Sequence, residues 1–119
     1  MTRLALCAAI ALLTIYPDAS HAQSQQEMNL QAERDFEAAD SSLNQVYKQL
    51  TGKLDKESLE KLKAAQRAWV QFRDAEAEFE MDLGARGGTL APLIYNGRRA
   101  AMTKARIVEL QRLLKDAGR

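Results

Sequence analysis

The chain has 119 residues, a formal net charge of +1, one cysteine and one histidine. One cysteine excludes an internal disulfide and a thiolate metal cluster, and one histidine leaves no multi-histidine zinc site. Charge is near zero in total but unevenly spread, which becomes informative once the elements are placed.

Met1-Thr-Arg3 is a short positive start, and Leu4 to Ile15 is a nearly unbroken apolar run. Tyr16-Pro-Asp-Ala-Ser-His-Ala22 follows, with a helix breaker and small residues at Ser20 and Ala22. That order predicts a secretory signal peptide over residues 1–22, cleaved after Ala22. Twelve apolar residues are too few to cross ~30 Å of hydrocarbon, so no membrane span is expected after cleavage. Cys7 lies in the middle of the run, where lipid attachment would leave almost no hydrophobic region. Cys7 and His21 depart with the leader, leaving residues 23–119 as one expected domain without disulfide, metal, cofactor or histidine chemistry.

After residue 22, breakers cluster in two places: around Gly52, and through Gly84-Ala-Arg-Gly-Gly-Thr-Leu-Ala-Pro92. The segments between are rich in Ala, Leu, Glu, Gln, Lys and Arg, and none alternates with strand periodicity. The first helix is expected over about Gln25–Leu50, with Met28, Ala32, Phe36, Ala39, Leu43, Val46 and Leu50 on its inner stripe. Asp40, Asn44 and Tyr47 share one flank at spacings of four and three. Gly52 is placed to end this helix in a left-handed conformation.

The second helix is expected from Asp55, a capping side chain, to about Leu83. Its apolar stripe reads Leu62, Ala65, Trp69, Phe72, Phe79 and Leu83, with Gln66, Arg73 and Glu76 inside the same arc. The third helix is expected from Thr89 as N-cap, with Pro92 in the first turn and an inner stripe of Leu93, Asn96, Ala100, Thr103, Ile107, Leu110 and Leu114. Gly97 and Ala100 are expected to permit close approach, and Arg99 and Arg106 lie a heptad apart beside Thr103. Three long helices with short connections predict an all-α fold, an antiparallel up-down-up three-helix bundle ~35–40 Å long.

Residues 84–119 carry eight bases against two acids, whereas both preceding segments are net acidic. Such asymmetry lets segments attract one another on folding, and it also suits an anionic partner. Export removes nucleic acid from the expected partners. Arg73 and Glu76 are expected to form a buried interhelical network reaching Asp40, Tyr47 or Thr103. The competing reading is a surface groove in which Trp69 and Arg73 meet a ligand. Asp40, Glu76 and Glu80 are the carboxylates available for sugar hydrolysis, but no cleft is implied and no enzymatic activity is expected. The glycine loop lacks the Lys-Ser/Thr ending of a phosphate loop. It reads as a helix connection, or as an exposed loop presenting Arg86 to a partner.

Asp40-Ser-Ser-Leu43-Asn44-Gln-Val-Tyr47-Lys, Leu62-Lys-Ala-Ala-Gln66-Arg-Ala-Trp69-Val-Gln-Phe72-Arg73-Asp74-Ala, Gly87-Gly88-Thr89 and Thr103-Lys-Ala-Arg106-Ile-Val-Glu-Leu110 resemble the signature of the LprI-like secreted domain. The resemblance covers essentially all of residues 23–119. It implies fold and compartment, secreted and periplasmic, and it marks Asp40, Asn44, Tyr47, Gln66, Trp69, Arg73, Asp74, Thr103 and Arg106 as motif residues with a structural role. The family is named for a lipoprotein that inhibits lysozyme, so the implied partner is a lysozyme-type hydrolase or another exported protein. Glu78, Glu80, Asp82 and Arg86, at the acidic end of the second helix, are the candidate partner contacts. An alternative is an envelope protein that binds anionic envelope components through Arg98, Arg99 and Arg106. Relatives carry cysteines near the positions of Gln31, Ala77 and Arg98 and one further upstream, all absent here.

Overall fold

The computed structural model describes residues 19–119. Residues 1–18 of the proposed leader, Cys7 among them, and the His21 side chain lie outside the described residues. Three helices fill the description: α1 over Ala19–Thr51, α2 over Lys56–Ala85 and α3 over Ala91–Ala117. The first begins several residues earlier than its apolar periodicity indicates.

The chain runs up, down and up. Asn29 of α1 meets Thr89 just before α3, and Arg99 of α3 stacks on Phe36 one level further along. α2 runs opposite to both, so that Asp74 faces Arg99 and Gln66 faces Arg106. The helix α3 packs along both neighbours, while the backbones of α1 and α2 hardly approach each other. The core follows from that arrangement: Leu43 and Leu50 of α1, Leu62 of α2 and Leu110 of α3 close the lower end, flanked by Val46, Tyr47, Leu54, Trp69, Ile107 and Leu114.

Sequence periodicity gives the inner faces of α1 and α3 correctly: Ala32, Phe36, Ala39, Leu43 and Leu50 are buried on the first, and Ala100, Thr103 and Leu110 on the last. Met28, at the open end of α1, is exposed. The stripe expected on α2 is the one that fails. Phe72, Phe79 and Leu83 face solvent, at 57, 56 and 70% exposure, and Ala65 is exposed as well. Of that stripe Leu62 is buried and Trp69 half-buried, and the buried face is completed by Arg73, which the sequence placed in the same arc, and by Ala77, with Gln66 and Val70 half-buried beside them.

Helix ends follow local chemistry, with three corrections. Asp55 caps α2 as expected, accepting from the Ser58 N–H at 2.8 Å. Gly52 does not turn left-handed; its N–H donates to the Lys48 carbonyl at 3.3 Å in an ordinary turn. Thr89 is not the N-cap of α3, whose first turn follows Leu90 without a side-chain cap. Its carbonyl instead accepts from the Asn29 side chain at 3.1 Å. Gly97 mediates no close approach, since a Cβ there would meet nothing within 4 Å. Gly84 does so instead: a Cβ would stand 2.8 Å from Ile94 Cδ1, so its bare backbone lets α3 seat against the last turn of α2. Gly87 supplies the turn between them, at φ 66°.

Candidate functional site

Arg73 is the centre of the polar interior. Its side chain is 5% exposed, and Nε donates to Asp74 Oδ1 at 2.9 Å while Nη1 donates to Asp40 Oδ1 at 3.2 Å and to Thr103 Oγ1 at 3.5 Å. All three helices therefore meet on one guanidinium. The fork geometry of arginine allows this, with separate N–H groups aimed at separate acceptors. Of the expected network, Asp40 and Thr103 are reached, while Glu76 and Tyr47 make no hydrogen bond or ion pair among the described residues; Asp74 joins because it adjoins Arg73 and also accepts from Arg99 Nε at 3.1 Å.

The network continues by stacking. Phe36 lies between Arg99, 3.6 Å from its centroid, and Arg73, 5.0 Å away. Trp69 lies between Arg73 at 5.3 Å and Arg106 at 5.8 Å. The result is a column of three arginines interleaved with two aromatic rings, each cation over a ring face. Arg106 also donates from Nε to Gln66 Oε1 at 3.0 Å and pairs with Glu109 at 3.2 Å. Three carboxylates, of Asp40, Asp74 and Glu109, balance the three cations.

The motif residues thus fall into two groups. Asp40, Gln66, Trp69, Arg73, Asp74, Thr103 and Arg106 join the column. Asn44 is exposed and Tyr47 half-buried, and neither side chain hydrogen-bonds within the protein among the described residues. Both line a groove of about 400 Å³ between α1 and α2, together with Asp40, Lys63, Gln66 and Arg67.

At the acidic end of α2 the candidate contacts are partly engaged with the protein itself. Asp82 holds Arg86 through two bonds of 2.9 Å, which raise the Arg86 pKa. Glu80 Oε1 stands 3.0 Å from Arg98 Nε, close enough for an ion pair but off the N–H direction, so Nε has no hydrogen-bond partner. Glu78 is exposed and has no ion pair among the described residues. What residue spacing missed is the apolar part of this end: Phe72, Phe79 and Leu83 run outward along α2 to the same tip.

The three candidate arginines of the basic third helix are engaged within the bundle, while Lys104, Arg112 and Lys115 stay exposed. Arg98 pairs with Glu80, Arg99 with Asp74 and Arg106 with Glu109, and the last two side chains are only 18 and 11% exposed. No group of His, Cys, Asp and Glu among the described residues is arranged to hold a metal ion. No helix among them is long and apolar enough to cross a membrane.

The family described as lysozyme inhibitor LprI matches residues 17–110. An uncharacterized protein of Rhizobium meliloti (strain 1021) is 37% identical, with 85% of this chain and 81% of that protein covered. No solved structure matches.

Proposed function

The chain belongs to the LprI family, and from that membership we propose that it is an exported, periplasmic, non-enzymatic protein that inhibits a lysozyme-type hydrolase by docking the outer face of α2 against it. The observation that carries the reading is the exposed row Phe72, Phe79 and Leu83, which ends among Glu76, Glu78 and Asp82. Large apolar side chains exposed together on one helix are characteristic of interaction surfaces, where aromatic anchors supply most of the binding energy. Acids beside them suit a basic hydrolase, chiefly by speeding encounter and setting orientation. Ion pairing within the tip leaves Glu78 as the acid most available to a partner, with Arg86 held by Asp82 at the loop edge.

Arginines of α3 give the envelope-binding alternative little to work with, because Arg98, Arg99 and Arg106 already hold carboxylates of their own bundle. Two of the three carboxylates considered for hydrolysis are similarly engaged, Asp40 by Arg73 and Glu80 by Arg98, while Glu76 has no ion pair among the described residues.

A lysozyme turbidity assay with purified protein tests the proposal. Lysis is expected to slow at micromolar protein, and the Phe79→Ser variant is expected to lose that effect. Undiminished lysis at large excess rejects inhibition, and full inhibition by the Phe79→Ser, Leu83→Ser double variant moves the contact off this face.

A further inference from the structure

We infer that the groove between α1 and α2 is a binding site for a carboxylated oligosaccharide, separate from the outer face of α2. The groove exists because α3 holds both helices while α1 and α2 stay apart, leaving a slot of about 400 Å³. Its volume lies within the range of ligand pockets, roughly 300–1,000 Å³. Leu43 and Val70 form the apolar floor.

The polar lining is built from inside. Asp40 Oδ1 is fixed by the Arg73 guanidinium, which leaves Oδ2 to accept from a ligand. Gln66 Oε1 is fixed by Arg106 Nε, which turns its amide N–H groups to donate. Each of these side chains is therefore anchored at one end by an arginine of the column and presented at the other, an arrangement that lowers the ordering cost of binding. Asn44 and the Tyr47 hydroxyl add a donor–acceptor amide and a donor–acceptor hydroxyl, neither used within the protein among the described residues. Adjacent sugar hydroxyls, each both donor and acceptor, match planar carboxylate and amide groups of this kind, and an aromatic ring offers a face to the C–H side of a sugar. Lys63 and Arg67 stand on the α2 rim. Lys63 is paired with Glu60 at 3.3 Å, whereas Arg67 has no ion pair among the described residues and is the group that would take the carboxylate. Asn44 and Tyr47 thereby acquire a use that the buried column does not give them.

Titrating the ¹⁵N-labelled protein with trigalacturonate, beside its methyl ester as the uncharged counterpart, tests this. Saturable shifts are expected at the Asn44 and Gln66 side-chain amides, weaker for the ester. Loss of one hydrogen bond in Asn44→Ala is expected to weaken binding about fivefold, and loss of the charge-assisted bond in Arg67→Ala about tenfold. Both residues are exposed, so melting temperatures are expected to match the parent. The inference is overturned if no saturable shift appears at millimolar ligand, if the ester binds as tightly as the acid, if Arg67→Ala binds unchanged, or if the shifts map to the α1–α3 groove around Met28 and Leu93.

Discussion

At the scale of single residues, Arg73 shows why a charge can sit inside a small bundle. Desolvating a guanidinium costs several kcal/mol unless hydrogen bonds and opposite charges offset it; here Nε and Nη1 donate to Asp74, Asp40 and Thr103, and the rings of Phe36 and Trp69 lie within 5.0 and 5.3 Å. Lysine keeps the charge but offers neither fork nor plane. Since both carboxylates are more than a third exposed and can rehydrate, Arg73→Lys is expected to cost about 1–2 kcal/mol, below the 3–5 of a fully buried broken pair. Thr103→Val, which loses only a 3.5 Å bond, is expected to cost less than about 1 kcal/mol. Urea unfolding at neutral pH measures both; an unperturbed lysine variant would show that a point charge suffices. Asp55 carries a pH dependence of its own. The Ser58 N–H, and then the Ser58 hydroxyl, hold its carboxyl below the ordinary value in the folded protein. A lowered folded value contributes stability above the unfolded value of about 3.9 and loses it as pH falls through the folded one. The melting-temperature gap between parent and Asp55→Ala is therefore expected at neutral pH and to close on acidification below about pH 4. A gap that persists in acid assigns the cap to geometry rather than charge.

At the scale of elements, α1 and α3 were legible in the sequence and the phase of α2 was not. Leu43, Leu50 and Leu110 recur at helical spacing and are buried where that spacing puts them. On α2 Phe72, Phe79 and Leu83 face out while Leu62, Trp69 and an arginine face in, so apolar periodicity points about a quarter turn away from the real interface. Arg73 and Gln66 were visible as polar residues near the stripe. Their partners were only partly visible, because Arg99 joins the network by donating to Asp74 through a contact between α2 and α3 that no local pattern encodes. The same reversal separates two kinds of variant. Phe72→Ser and Phe79→Ser remove side chains that touch mostly water, and each is expected to change stability by no more than about 0.5 kcal/mol. Leu43→Ala leaves a cavity in the core and is expected to cost about 2–5 kcal/mol. Thermal melts compare them directly, and a large loss at Phe79 would place its ring against the bundle rather than outside it.

At the scale of the whole molecule, α3 is the helix on which the other two depend. α1 and α2 meet mainly through side chains, by way of Arg73 and Asp40 and of the leucines around Leu110, so neither keeps its position if α3 loosens. The only cysteine of the chain is Cys7, and no internal disulfide can restrain the unfolded state. Cohesion rests on packing and on the arginine column, both of which pass through α3. Unfolding is accordingly expected to be a single transition, with helical circular dichroism and Trp69 fluorescence coincident in urea. Leu110, fully buried where the three helices converge, is the position that probes this. Leu110→Ala is expected to lower stability by about 3–4 kcal/mol and to shift both probes together, since the cavity opens toward Leu43 and Leu50 of α1 and Leu62 of α2 at once. If the fluorescence of Trp69 on α2 departs from the helical signal in this variant, α2 detaches before α1, and the column rather than the leucine cluster is what joins the two halves.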